Sequence, residues 1–206
     1  MGDGTEADRL LGRAASGDEE ARSRLLELHR DRLWRMVAVR LDRRVAARVD
    51  PSDIVQETLA EAAAGLADYA RLRPLPLYPW LRQIAWDRLI AVHRRHISAE
   101  ARSVRREEEA GPGLPEGSVL ALADRLVAAG SSPSRRASRN EVRRLVREAI
   151  DRLSPTDREV LVLRHLEGLD TVEIAALLGI SPEAVRTRHV RAIEHLRHRL
   201  APGVLE

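Results

Sequence analysis

Between Asp53 and Leu66 apolar residues return every three or four positions, the spacing of one face of a helix. Wound at about 100° per residue, the segment puts Val55, Thr58, Leu59, Ala62 and Leu66 on one side and Asp53, Gln56, Glu57, Ala60, Glu61 and Ala64 on the other. The same period reappears beyond Pro79, where Leu81, Ile84, Ala85, Leu89 and Val92 form an apolar stripe and Arg82, Gln83, Trp86, Asp87 and Ile90 lie off it. Between these helices, Tyr69 to Tyr78 reads as a stiff, basic loop, because Pro74 and Pro76 exclude a regular helix.

The pattern from Asp170 to Leu196 predicts two short helices and a tight turn. Asp170 with Glu173 three positions on forms a capping box, and Ile174, Ala175, Leu177 and Leu178 supply the first apolar face. Gly179 falls where the chain must turn sharply, and Ser181 followed by Pro182 starts the next helix. Along that helix Val185, His189, Ala192 and Leu196 recur on the inner side, which leaves Glu183, Arg186, Thr187, Val190 and Arg191 outward. A helix–turn–helix with a basic outer face is a device for entering a DNA groove.

The remaining segments are rich in Ala, Leu, Arg and Glu and lack alternating β-branched runs, so the predicted fold is all-α. Residues 101–118 shift to mixed charge and then to Gly and Pro, and a second break, Gly130 to Ser134, follows a short apolar segment. These breaks predict two small helical domains, residues 1–97 and 139–206, joined by a flexible linker, 98–138, that holds at most one short helix between Val119 and Ala129. The second domain contains the helix–turn–helix.

Composition narrows the function. A third of the residues are charged, yet the net charge is only +3, so nucleic-acid affinity must come from local patches. All 35 Lys-plus-Arg residues are arginine, whose fork suits phosphates and guanine edges. The absence of cysteine excludes disulfides, a thiol nucleophile and a cysteine zinc site. His93/His96 and His195/His198 have a spacing that could hold a metal, but flanking arginines and the lack of a carboxylate set argue against one, so no metal or cofactor is expected. No membrane span or signal peptide is read, and a cytoplasmic location is expected.

On the outward side of the first helix, Asp53 and Glu57 sit one turn apart and can accept forked arginine bonds from a basic helix of another protein. Tyr78, Trp80 and Trp86 cluster beside arginines, the chemistry that stacks single-stranded bases, although Trp80 also suits a core position.

Four pieces, in this order, resemble bacterial RNA polymerase sigma factors of the extracytoplasmic-function group. They are Asp50-Pro51-Ser52-Asp53-Ile54-Val55-Gln56-Glu57, Pro79-Trp80-Leu81-Arg82-Gln83-Ile84-Ala85, the run Leu153 to Arg164, and the helix–turn–helix. The resemblance implies a non-enzymatic subunit that binds core RNA polymerase and directs promoter-specific initiation. It implies that Asp50, Asp53, Gln56, Glu57 and Glu61 dock on the clamp helices of the largest subunit, with a further contact to the flap of the second-largest. The minus-ten element would be recognised and opened by Tyr69, Arg71, Arg73, Tyr78, Arg82, Gln83, Trp86, Asp87 and Arg94. The minus-thirty-five element would be read by Ser181, Glu183, Arg186, Thr187, Arg188, Val190 and Arg191. Promoter DNA and an anti-sigma factor complete the implied partners.

Some positions depart from the family pattern. Trp86 and Asp87 stand where a polar or basic residue and Asn are usual, and Asp87 would accept from a cytosine or adenine amino group. His189 and Val190 replace the usual Leu and a polar residue. Two rival readings are a stand-alone helix–turn–helix regulator, which leaves the acidic and aromatic helices without a role, and a histidine-metal enzyme.

Overall fold

A computed structural model describes residues 3–97, 115–128 and 136–199. The described residues are helical and form two compact units that divide between residues 113 and 114. No helix among them is long and apolar enough to cross a membrane.

The first unit holds α1 (Asp3–Ala15), α2 (Glu19–Glu27), α3 (Arg30–Arg40), the single turn α4 (Arg43–Ala46), α5 (Pro51–Leu72) and α6 (Leu77–Ile97). Its central element is α5, which packs on α1, α2, α3 and α6. Asp50 caps it by accepting the Ser52 N–H at 2.8 Å, with Pro51 at the first helical position, where a missing N–H costs nothing. Along α5, Ile54, Val55, Thr58, Leu59, Ala62, Leu66 and Tyr69 are buried. Each fully buried aliphatic side chain contributes about 1.5–3 kcal/mol, and this stripe is what holds α5 in the middle.

The break between α5 and α6 is shorter than the sequence suggests. Tyr69 to Leu72 remain helical, and Tyr78 lies inside α6. Only Arg73 to Pro76 are irregular, because Pro74 bars its predecessor from the helical region and Pro79, two residues into α6, still lies in a first turn that needs no N–H donor. Arg73 ends α5 in a left-handed conformation, φ 40° and ψ 55°, with its N–H bonded to the Tyr69 carbonyl at 2.7 Å. The Tyr69 hydroxyl donates to the Leu75 carbonyl at 3.0 Å and so pins the Pro-rich turn to the helix before it.

The second unit holds α7 (Glu116–Ala128), α8 (Arg136–Asp151), α9 (Pro155–His165), α10 (Thr171–Leu178) and α11 (Pro182–Arg199). Helix α7 is the short helix expected inside the linker, but it packs on α8 and α9 and buries Val119, Leu122, Ala123 and Leu126. The second unit therefore begins before residue 139. The Gly130 to Ser134 break, and residues 98–114, lie outside the described residues.

The caps, the turn and the buried positions Ile174 and Ala175 predicted for the helix–turn–helix are present, while Leu177 and Leu178 are only partly buried. Asp170 accepts from the Val172 and Glu173 N–H groups while Glu173 accepts from the Asp170 N–H at 3.0 Å, a complete capping box. Gly179 takes φ 64° and ψ 31°, a conformation that a side chain would strain. Ser181 caps α11 by accepting the Ala184 N–H at 3.1 Å. Val185, Ala192 and Leu196 are fully buried.

Candidate docking and nucleic-acid faces

On α5 the division of faces is that expected: Asp53, Gln56, Glu57, Ala60, Glu61 and Ala64 are all exposed. Two of the acids are engaged from within the molecule. Arg88 of α6 donates to Glu61 at 2.8 Å through Nε and reaches Glu57 at 3.3 Å. The carboxylates in turn raise the Arg88 pKa, through the Glu61 hydrogen bond first. Sequence reasoning missed this clasp, because nothing in local spacing joins residues 27 and 31 positions apart. The face thus already binds a guanidinium, the group it was expected to accept from a partner. Asp50 is exposed but serves the helix: the Ser52 N–H holds its carboxyl below the usual range.

The aromatic segment divides differently. Tyr69 and Tyr78 are 5% and 2% exposed, so neither ring can stack on a base. Tyr69 stacks on Trp80 at 4.4 Å between centroids, and these rings close the core formed by Leu10, Leu11, Leu25 and Leu66. Tyr78 donates to the Arg32 carbonyl at 3.2 Å and lies 3.7 Å below the Arg32 guanidinium. Both are scaffold residues: a buried phenol satisfies its hydroxyl on backbone and its ring on neighbours. Arg82, expected at the minus-ten face, is also a buried residue. It is 5% exposed, and its guanidinium lies 5.5 Å from the Trp86 ring centre, with that of buried Arg40 at 5.4 Å. Trp86 is half-buried between these two cations. Gln83, Asp87 and Arg94 on α6, and Arg71 and Arg73 at the turn, are exposed. Leu72 beside them is 74% exposed.

On α11 the outer face is intact. Glu183, Arg186, Thr187, Val190 and Arg191, joined by Glu194, line one shallow open hollow. Arg186 pairs with Glu183 at 2.9 Å one turn before it. Ser181 is exposed at the helix start, where its hydroxyl is the cap. Arg188 is different. Its guanidinium points to α9 and donates to the buried Asp157 carboxylate at 3.0 Å, so it ties α11 to α9 and lies away from the outer face. The neighbouring residue, His189, makes a second tie to the same helix, with its Nε2 3.0 Å from Nε2 of His165. One ring donates and the other accepts, which requires both to be neutral or to share one proton. Burial first, then the charges of His189, Arg164 and Arg125, pushes His165 down to about 4, and burial with Arg164 lowers His189 as well.

The family model described as Sigma-70, region 4 matches residues 143–196, which span most of α8, then α9, α10 and most of α11. The chain is 31% identical over 194 residues to the probable RNA polymerase sigma factor RfaY of Xanthomonas campestris pv. campestris, covering 92% of this chain and 43% of that protein. It is 38% identical over 130 residues to the RNA polymerase sigma factor CarQ of Myxococcus xanthus, 62% of this chain and 63% of CarQ. It thus spans less than two thirds of these two relatives. Against the ECF RNA polymerase sigma-E factor of Escherichia coli the identity is 27%, over 94% of this chain and 93% of the other. A solved structure of CnrH in complex with the cytosolic domain of CnrY is similar with a TM-score of 0.51 and 26% identity, covering 93% and 96% of the two chains. Through its region 4 domain and through relatives along nearly its whole length, the chain is a homologue of the extracytoplasmic-function RNA polymerase sigma factors.

Proposed function

We propose that this chain is a sigma factor, a dissociable subunit that gives core RNA polymerase its promoter specificity and has no chemistry of its own. The observation that carries the reading is the combination, in one chain, of the acidic α5 face, the exposed polar edge of α6 and the region 4 helix–turn–helix, along a length shared with sigma-E. Core docking falls to Asp53, Gln56, Glu57 and Glu61, facing basic helices of the largest subunit, with the flap of the second-largest subunit as a second contact. Gln83, Trp86, Asp87 and Arg94 of α6, with Arg71 and Arg73 at the turn, face the minus-ten element.

Opening of the DNA follows from differential binding: bases held only when unstacked shift the equilibrium toward the separated strands. Arg186 and Arg191 then supply upstream position and affinity, and Glu183 and Thr187 supply base discrimination. The similarity to CnrH, solved with the cytosolic domain of another protein, supports a cytosolic anti-sigma domain as a further partner. The test is transcription by purified core polymerase on a genomic promoter library, with and without the chain. New start sites that depend on the chain are expected; failure to bind core or to direct initiation anywhere refutes the reading.

A further inference from the structure

The outer face of α11 carries one side chain that polar chemistry does not explain. Val190 is 52% exposed, although the inner stripe of the helix is already complete in Val185, Ala192 and Leu196. It stands three positions after Thr187, so the two β-branched side chains are neighbours, with about 5–6 Å between their Cβ atoms. Around this methyl-bearing patch lie Glu183 and Arg186, already paired at 2.9 Å, and Arg191 and Glu194. The hollow these residues line is therefore apolar at its centre and charged at its margins.

A recognition helix of this type lies in the major groove, where the base edges offer donors, acceptors and one apolar group, the C5-methyl of thymine. Charged margins meet phosphates or polar base edges; an apolar centre has a single complement there. We infer that Thr187 and Val190 together form a thymine-methyl contact, making them specificity-determining residues for at least one T·A pair in the upstream promoter element. The inference rests on the proposed sigma-factor reading and adds to it the base that the face prefers. Thr187 is exposed and Val190 is 52% exposed, so each can be changed by one group with little effect on folding: Val190→Thr exchanges a methyl for a hydroxyl at constant shape, and Thr187→Ser removes only a methyl.

The experiment uses the full chain with core polymerase and a promoter selected from a genomic library. Each thymine of the upstream element is replaced in turn by deoxyuridine, which lacks only the methyl. At one or two positions the replacement should weaken binding by about fourfold, the value of one buried methyl-sized group. Val190→Thr or Thr187→Ser should weaken the thymine promoter similarly and abolish the difference between thymine and deoxyuridine at that position. Selected elements without thymine on either strand overturn the inference. So does binding indifferent to deoxyuridine throughout, or a deoxyuridine penalty unchanged in both variants. Loss of binding to every promoter, with wild-type protein, refutes instead the sigma-factor reading and removes the ground for this one.

Discussion

The outward face of α5 and the outward face of α11 handle charge in opposite ways. On α5 the acids Glu57 and Glu61 are held by Arg88 from the next helix, so the proposed docking face is also part of the α5–α6 junction. On α11 the ion pair of the outward face, Arg186 with Glu183, lies within the helix itself, and the polar ties to α9 come from Arg188 and His189 on the inner side. One surface is pre-shaped by a contact between helices; the other is carried on a helix whose outward ion pair is local to it. Substitutions should therefore separate recognition from stability cleanly on α11 and less cleanly on α5.

The largest effect expected is on core binding. Replacing Asp53 and Glu57 together by arginine puts like charges against a basic partner, which costs several kcal/mol, and binding should fall at least about a hundredfold in a co-purification or fluorescence titration. The melting temperature of the first unit, read from Trp34, Trp80 and Trp86, should change little, because exposed pairs contribute about 0–1 kcal/mol. Core binding retained at full strength would remove these acids from the interface.

Next in size is the contrast between two neighbouring arginines on α11. Arg188→Ala leaves Asp157 buried without its guanidinium and should destabilise the second unit by about 1–3 kcal/mol. Arg191→Ala should stay within about 0.5 kcal/mol of wild type in stability and instead lower the salt slope of promoter binding by about 0.9. Chemical denaturation followed by hydrogen exchange of α9 and α11, beside salt titrations of holoenzyme binding, checks both. Equal behaviour of the two variants would erase the distinction between inner and outer faces.

Acidification should act on the inner ties. The folded state holds His165 at about 4 and His189 below its usual value of 6.5, whereas the unfolded chain takes up protons near 6.5. Below that pH the unfolded state binds more protons, so the stability of the second unit is complete above pH 6.5 and declines as pH falls toward 4. Replacing both histidines by a leucine pair should flatten this decline. An unchanged pH profile would show that the rings are not held neutral.

The smallest effect concerns the clasp. Arg88→Ala frees Glu57 and Glu61 for a partner's arginines, at the cost of an exposed pair valued at about 0.2–1 kcal/mol. Core affinity should rise up to about fivefold and become more salt-dependent; weaker core binding would mean that Arg88 orients the acids for the partner.

Much of this was legible because it is local. The α5 faces follow from periodicity alone, and the capping box, Gly179 and Ser181 follow from backbone groups that must be satisfied within a turn. Residue chemistry misleads where helical phase points the other way. Tyr69 continues the buried series Ala62, Leu66 at helical spacing, but Pro74 drew the expected end of the helix too early. Arg188 is three positions after Val185 and four before Ala192, which is the inner side, and its charge suggested the outer one. Arg82 is buried because α6 packs on α3 and α4 as well as α5, so its buried arc is wider than one stripe. The Arg88 clasp and the docking of α7 depend on which helices meet in space, and no single segment carries that information.

The central claim is that the reading face works only as part of a holoenzyme. The affinity of the full chain for a selected promoter duplex, measured with and without core polymerase at one salt concentration, tests it most directly. The account predicts specific binding and strand opening with core, and weak, unspecific binding without it. Equal specific affinity for the duplex in the absence of core would contradict the account and favour a stand-alone regulator.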